Sequence, residues 1–382
     1  MSLRSSNIQL SVIKQMELLA SAHLDVVSLA QGIPSFDTPS PIKRRAERAL
    51  NDGVVAKYSL SPGLPELREA IEAASAREHI YYDWENEIIV TAGSIEGITA
   101  SLLALTDPGA EVVIPDPTYT SYREAVRLAG CTPVFVPLDE SRGWAFDIEA
   151  FRKAITPKTK VIFYCNPNNP TGTVFSRADL TALAELAVEH NLFLISDEAY
   201  KDFMYDGQDY FSLAQLPQYR NRLVRVFSFS KSYAMTGWRI AYLQADEAVT
   251  REILKVHDSL VTCAPVISQY AALGALEAGE SWVNDFRKVY AERRDVMCQR
   301  LDALKSKLEY VRPSSAYFTL PHIKGCTDSL ALAKDILDKV HLAVVPGVAF
   351  GPSGEGHIRL SFGRTLPDIE EGMRRLATYF DT

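Results

Sequence analysis

From Ile88 to Phe227 short apolar runs of strand length alternate with stretches whose apolar residues recur at helical spacing. The runs are Ile88-Ile89-Val90, Val112-Val113-Ile114, Val134-Phe135-Val136, Val161-Ile162-Phe163, Leu192–Ile195 and Leu223–Phe227, and helical segments such as Asp179–Glu189 separate several of them. Strands that alternate with helices specify a mostly parallel sheet covered by helices, because a parallel connection must cross over a sheet face. Near residue 280 the pattern changes. A long helix is expected over Trp282–Lys305, then short strands at Ala316–Leu320, Ala343–Val345 and His357–Phe362, with helices at Ser329–Lys339 and Pro367–Tyr379. We read this as a smaller α/β domain that the N-terminal segment joins. That segment contains an amphipathic stretch at Ile8–Ala22, a short apolar run at Val26–Ala30 and a helix at Pro41–Leu50.

With 382 residues, 47% of them apolar, the chain can bury a substantial core. A formal net charge of −8 disfavours a general nucleic-acid binder. Five dispersed cysteines without CxxC spacing argue against a disulfide framework or a metal site, and suit a reducing cytoplasm. No basic start followed by an apolar stretch opens the chain, so no secretory signal is expected, and no apolar run reaches membrane-spanning length.

Chemistry gathers where the apolar runs end. Lys231 lies in Ser228-Phe229-Ser230-Lys231-Ser232-Tyr233-Ala234-Met235-Thr236-Gly237-Trp238-Arg239, at the exit of the run 223–227. Partial burial favours a neutral amine, which can attack a carbonyl and form a Schiff base. Arg239, eight residues on, is a fixed planar cation suited to phosphate. A lysine for an aldehyde and an arginine for a phosphate together describe pyridoxal phosphate; a solvated turn lysine is the alternative. Thr91-Ala92-Gly93-Ser94-Ile95 joins a strand to a helix, where free N–H groups can hold a phosphate; an ordinary turn capped by Ser94 is the other reading. The run Asn166-Pro167-Asn168-Asn169-Pro170-Thr171-Gly172 fixes an Asn amide at the sheet edge. Asp197, in Asp197-Glu198-Ala199-Tyr200, ends a buried run and calls for a cationic partner such as a pyridinium N–H, or else caps the next helix. Arg359 stands on the opposite strand face from Ile358 and Leu360, free to grip a substrate carboxylate or to face solvent.

Taken together these segments resemble the class I and II aminotransferases, the aspartate and aromatic aminotransferase family of fold-type I pyridoxal phosphate enzymes. The resemblance runs from Leu29-Ala30-Gln31-Gly32 through Tyr58–Gly63, Asn168–Gly172, Ser196–Tyr200 and Ser228–Arg239 to Val345-Pro346-Gly347 and Arg359. It implies a large cofactor domain over residues 49–285 with a mostly parallel seven-stranded sheet. A smaller α/β domain would span 286–382, and residues 1–48 would form an arm and part of that smaller domain. Lys231 then corresponds to the lysine that binds the cofactor's aldehyde and afterwards moves the substrate's proton. Asp197 corresponds to the partner of the pyridine nitrogen, Asn169 and Tyr200 to the pair that holds the ring's 3′-oxygen, and Tyr119 to the aromatic stacked on the ring. Gly93, Ser94, Ile95, Ser228 and Arg239 match the phosphate cup. Tyr58 matches a tyrosine that reaches the phosphate from the neighbouring subunit of a homodimer. Arg359, with Gly32, Ile33 and Asn169, matches the substrate clamp. No metal is implied. The activity implied is ping-pong transfer of an amino group from an L-amino acid to a 2-oxo acid, with 2-oxoglutarate the expected acceptor.

Three departures bear on the substrate. Relatives commonly carry Gly-Glu-Pro-Asp-Phe where this chain has Gly32-Ile33-Pro34-Ser35-Phe36. Some aspartate-using relatives place a lysine where Ile95 stands, and Ser315 replaces a usual glycine. Ile33, Ile95 and Tyr119 point to an aromatic, apolar or broad donor, with aspartate next. A carbon–sulfur lyase on the same scaffold is the alternative reaction. A catalytically silent binding or regulatory module is a third reading, against which stand Lys231, Asp197, Arg239 and Arg359.

Overall fold

The computed structural model describes residues 3–381, so residues 1, 2 and 382, at the outer ends of the expected terminal segments, lie outside it. The apolar runs become strands β1 (Ile88–Thr91), β2 (Glu111–Asp116), β3 (Thr132–Pro137), β4 (Thr159–Cys165), β5 (Phe193–Asp197), β6 (Leu223–Ser228) and β7 (Ala241–Gln244). They form one seven-stranded sheet in the order β1-β7-β6-β5-β4-β2-β3. Every residue of β1, β6 and β7 is buried, as expected of strands covered on both faces.

Strands β2 to β6 run parallel to one another. Strand β7 runs antiparallel to both β1 and β6, which leaves β1 pointing the same way as β2–β6. The carboxyl ends of six strands therefore share one edge, where open α/β sheets bind ligands. Helix α1 (Val12–Ala20) comes from the N-terminal segment, α2 (Ser94–Leu105) starts shortly after β1, and α3 (Thr120–Leu128) shortly after β2.

The C-terminal part differs from the expectation in one instructive place. The single strand expected at Ala343–Val345 is two. Leu342–Ala343 pairs in parallel with Val27–Ser28, and Val345–Pro346 pairs antiparallel with Ile358–Ser361. The chain changes partners at Val344, and this split stitches the N-terminal segment to the C-terminal layer. Strands β8 (Phe318–Thr319), β9 (Val345–Pro346) and β10 (Ile358–Ser361) form a small antiparallel sheet in the order β8-β10-β9. The long helix runs Ser281–Asp302, ending before the expected Lys305.

One buried ionic cluster ties the sheet to its surroundings. Arg225 on β6 is fully buried, and its guanidinium donates to Glu198 at 2.6 Å, Gln244 at 2.7 Å and Glu78 at 3.0 Å. Removing the cation strands a buried Glu198 carboxylate, and orphaning one member of such a pair costs about 3–5 kcal/mol. Arg225→Ala is expected to lose stability on that scale in urea unfolding of the cofactor-free protein. A loss under about 1 kcal/mol would show that the cluster is not a stabilising unit.

Candidate active site

Lys231 emerges where β6 ends. Ser228 accepts a hydrogen bond from the Ser230 N–H at 3.2 Å and so opens the short helix Phe229–Ser232 that carries the lysine. The Lys231 Nζ donates to the Gly32 carbonyl at 2.8 Å, which also accepts from the Tyr317 hydroxyl at 3.1 Å. Burial, reinforced by the positive charge of Arg359, pulls the lysine down to about 8, against the pull of Asp197. A useful fraction of the amine is therefore neutral at physiological pH.

Asp197 is the last residue of β5 and 4% exposed. The Tyr122 hydroxyl donates to its Oδ2 at 2.8 Å and the Ala199 N–H to its Oδ1 at 3.0 Å. Burial raises its carboxyl to about 6 despite both bonds. Among the described residues no cationic side chain forms an ion pair with it. The Ala199 bond closes a turn and caps no helix, since the next helical element after Asp197 is Leu213–Gln215; the helix-capping alternative is thereby corrected.

Arg359, on β10, is 1% exposed, so the solvent-facing alternative is excluded. Its Nη2 donates to the Ala30 carbonyl at 2.5 Å and its Nη1 to the Asn169 Oδ1 at 3.2 Å. The guanidinium lies 4.4 Å from the Phe318 ring centre and 5.0 Å from that of Phe350. Burial lowers it to about 10, and its Nε has no hydrogen-bond partner. A buried, unsatisfied donor on a cation without a carboxylate is a site prepared for an anion. Asn169 also donates to the Tyr200 hydroxyl at 3.3 Å, so it links the arginine to the tyrosine. The loop carrying it is pinned by Asn168, whose amide donates to the Pro117 carbonyl at 3.1 Å. Gly172 closes that loop at φ +69°, and a Cβ there would come within 2.8 Å of the Phe318 carbonyl. Ser315, the departure from the usual glycine, is buried beside it and donates its N–H to the Gly172 carbonyl at 2.9 Å.

At the start of α2 the structure corrects the sequence reading: Gly93, at φ +92°, is the cap residue, and Ser94 begins the helix. A Cβ on Gly93 would collide with the Arg239 guanidinium. This close approach lets an arginine sit over the positive end of a helix, where both favour one anion.

These side chains face a cavity of ≈ 390 Å³ lined by Gly32, Ile33, Ser94, Ile95, Tyr119, Asn169, Asp197, Tyr200, Ser228, Lys231, Arg239 and Arg359. Of the residues singled out in the sequence, Gly93 sits behind Arg239. Tyr58 alone stands apart, 83% exposed and outside the cavity. The sequence reading missed Tyr122, Thr236 and the face of α1 that brings Ile13, Lys14 and Glu17 into the lining. Tyr122 follows Tyr119 by one helical turn, a spacing that could have flagged it. Nothing local marks α1, which meets the other residues only through the fold.

The chain matches the family model for aminotransferase class I and II over residues 24–376. It belongs to this family. The aminotransferase is 39% identical over 371 residues to aspartate aminotransferase of Pyrococcus abyssi, covering 96% of this chain and 94% of that protein. It is 37% identical to aromatic-amino-acid aminotransferase 2 of Thermococcus litoralis, again over 96% and 94% of the two chains. The solved structure of Thermus thermophilus aspartate aminotransferase with maleate superposes with a TM-score of 0.93 at 36% identity, over 99% of each chain. The enzyme is thus a pyridoxal phosphate-dependent transaminase of fold-type I, acting on amino and 2-oxo acids; the lyase alternative is not favoured. The cavity fits that cofactor. It offers a weakly basic lysine, a buried carboxylate lacking a cation, and an arginine at a helix N-terminus whose glycine leaves no room for a side chain. Among the described residues no cluster of His, Cys, Asp or Glu could hold a metal ion, and no helix is long and apolar enough to cross a membrane.

Proposed function

We propose that the enzyme transfers the amino group of an aromatic, apolar or acidic L-amino acid to 2-oxoglutarate, with Lys231 as the covalent and proton-carrying residue. The observation that carries this reading is the convergence of Lys231, Asp197 and Arg359 on one cavity, where burial brings the lysine toward its neutral amine and leaves the buried carboxylate and guanidinium in need of ligands of opposite charge. Bound pyridoxal phosphate supplies an aldehyde and a protonated ring that withdraws electrons from the substrate's α-carbon. Lys231 would hold the aldehyde, and its free amine is placed to move the proton of the substrate's α-carbon. Asp197 holds the ring nitrogen's proton, and Tyr122 orients the carboxylate. Asn169 and Tyr200 would hold the ring's 3′-oxygen, and Tyr119 would cover the ring. Arg239, Ser94, Ser228 and the N–H groups after Gly93 hold the phosphate. Arg359 grips the α-carboxylate, with Asn169 and the backbone at Gly32 beside it.

Apolar Ile33 and Ile95 in the lining support an aromatic or apolar donor. A relative named for aromatic amino acids supports the same donor, while one named for aspartate and one solved with the dicarboxylate maleate support the acidic partner. The exposed Tyr58 supports a homodimer in which it reaches the neighbouring phosphate site. All five cysteines are free, which supports a reducing cytoplasm. We also propose residues 49–285 as the cofactor domain and 286–382, with the N-terminal 1–48, as the smaller one; the pairing of Val27–Ser28 with Leu342–Ala343 supports that grouping.

A single-turnover screen tests the reading. The cofactor-loaded enzyme, mixed with one amino acid and no acceptor, is expected to release one 2-oxo acid per site and stop until 2-oxoglutarate is added. Continuous release of pyruvate and no need for an acceptor would instead indicate a lyase. In the same assay Arg359→Lys keeps the charge but loses the planar fork, and is expected to lower kcat/KM about 30-fold for every α-amino acid, a loss of about 2 kcal/mol. Unchanged values would remove Arg359 from the clamp.

A further inference from the structure

Four cationic side chains line the cavity: Lys14, Lys231, Arg239 and Arg359. Three are engaged by the reading above. Lys231 meets the aldehyde, Arg239 the phosphate, and Arg359, fixed by Ala30 and Asn169, the α-carboxylate. Lys14 remains. Among the described residues it makes no ion pair and no side-chain hydrogen bond, although it faces a cavity shared with three other ligand-binding cations. It stands on α1, which Met16, 1% exposed, anchors in the core, while Ile13, Lys14 and Glu17 turn to the cavity. Residues three and four apart share a helix face, so one short helix presents an apolar, a positive and a negative side chain to the same space. Ile33 and Ile95 add uncharged, apolar lining to the same cavity.

A 2-oxo acid such as 2-oxoglutarate has a second carboxylate, and a monocarboxylic one does not. We propose that Lys14 is the specificity residue for the second carboxylate of dicarboxylic substrates, and that Glu17, on the same face of α1, opposes it. The assignment rests on the reading that the acceptor is 2-oxoglutarate. Lys14 attracts the distal carboxylate from the helix side. Glu17 lines the same cavity as Arg359, where its charge favours the guanidinium's charged form and repels any second anion. The two charges set how strongly a diacid is preferred over an apolar substrate. An apolar substrate contacts Ile33, Ile95 and Ile13 instead, and is indifferent to either charge.

The test uses purified, cofactor-loaded K14Q and E17Q with one common donor. The acceptors are 2-oxoglutarate and the monocarboxylic 4-methyl-2-oxopentanoate. The readout is the ratio of kcat/KM for the diacid to that for the monoacid. K14Q is expected to lower the ratio about 5- to 30-fold, mostly through KM for 2-oxoglutarate, while E17Q raises it about 2- to 5-fold. A structural role for α1 would move both variants the same way and both acceptors equally. A K14Q ratio within about twofold of the parent, an equal fall with both acceptors, or a fall in E17Q overturns the assignment. Failure of the underlying reading is distinguishable: the unsubstituted enzyme would then not use 2-oxoglutarate at all.

Discussion

Lys231→Ala abolishes transamination, with a fall in kcat on the order of 10,000-fold or more. Two functions vanish with one amine. The aldehyde loses its covalent anchor, and the α-carbon loses the group that carries its proton. The environment of Lys231 explains why no neighbour replaces it. Burial beside Arg359 lowers its amine to about 8, and the Gly32 carbonyl holds the Nζ at 2.8 Å, so position and protonation are set together. The other lysine in the lining, Lys14, is exposed on α1, outside the buried end of β6. The measurement is kcat in steady state together with the visible absorbance of the cofactor-soaked variant. Residual turnover above a tenth of the parent's would be incompatible with the proposed role. Replacement by arginine keeps the charge but supplies no neutral amine, so it is expected to fail equally.

Asp197→Asn separates activity from stability in opposite directions. Activity falls on the order of 1,000-fold in kcat, because an amide cannot balance the charge of a protonated ring nitrogen. Stability of the cofactor-free protein moves the other way at alkaline pH. The folded carboxyl is raised to about 6, above its unfolded value, so the protonated form is the favoured one in the fold. Its contribution is fully present below the unfolded value, near pH 4, and is lost as pH rises through about 6. At pH 8 the cofactor-free protein thus carries an unfavourable buried carboxylate. Removing that charge is expected to stabilise it by about 3 kcal/mol, with no gain at pH 4. Unfolding in urea at both pH values checks the sign. Equal stability of the two proteins at pH 8 would mean that the carboxylate costs nothing, and that it is not held for a cationic ligand. Tyr122 enters here as the positioning residue: its hydroxyl donates to the same carboxylate, and it favours the ionised form without adding charge.

Strands such as β1 and β6 were legible because they are buried on both faces, and two-sided burial writes itself as consecutive apolar residues. The order of chemical residues at strand ends was legible for a related reason. A parallel sheet sends every carboxyl end to one edge, so Ser94, Tyr119, Asn169, Asp197 and Lys231 meet although they span much of the chain. Strand β7 was not legible. Ala241-Tyr242-Leu243-Gln244 is short and ends in glutamine, and its place between β1 and β6 depends on pairing across the sheet; Gln244 is buried only because Arg225 and Ser75 bond it. The helices Glu247–Val261 and Val266–Glu277 were passed over for want of a clear boundary between them, which Thr262 at φ +62° provides in space. The role of α1 was hidden because amphipathic spacing tells which face is apolar, not what the polar face meets. Tyr58 marks another limit, since its proposed ligand belongs to a second copy of the chain.

Borohydride reduction of the cofactor-loaded enzyme, followed by peptide mapping, tests the central claim most directly. Reduction fixes the bond between amine and aldehyde so that it survives digestion. The account predicts one phosphopyridoxyl group per chain, on the peptide that contains Lys231. Attachment to any other lysine, or recovery of that peptide unmodified from a coloured and active preparation, would contradict it.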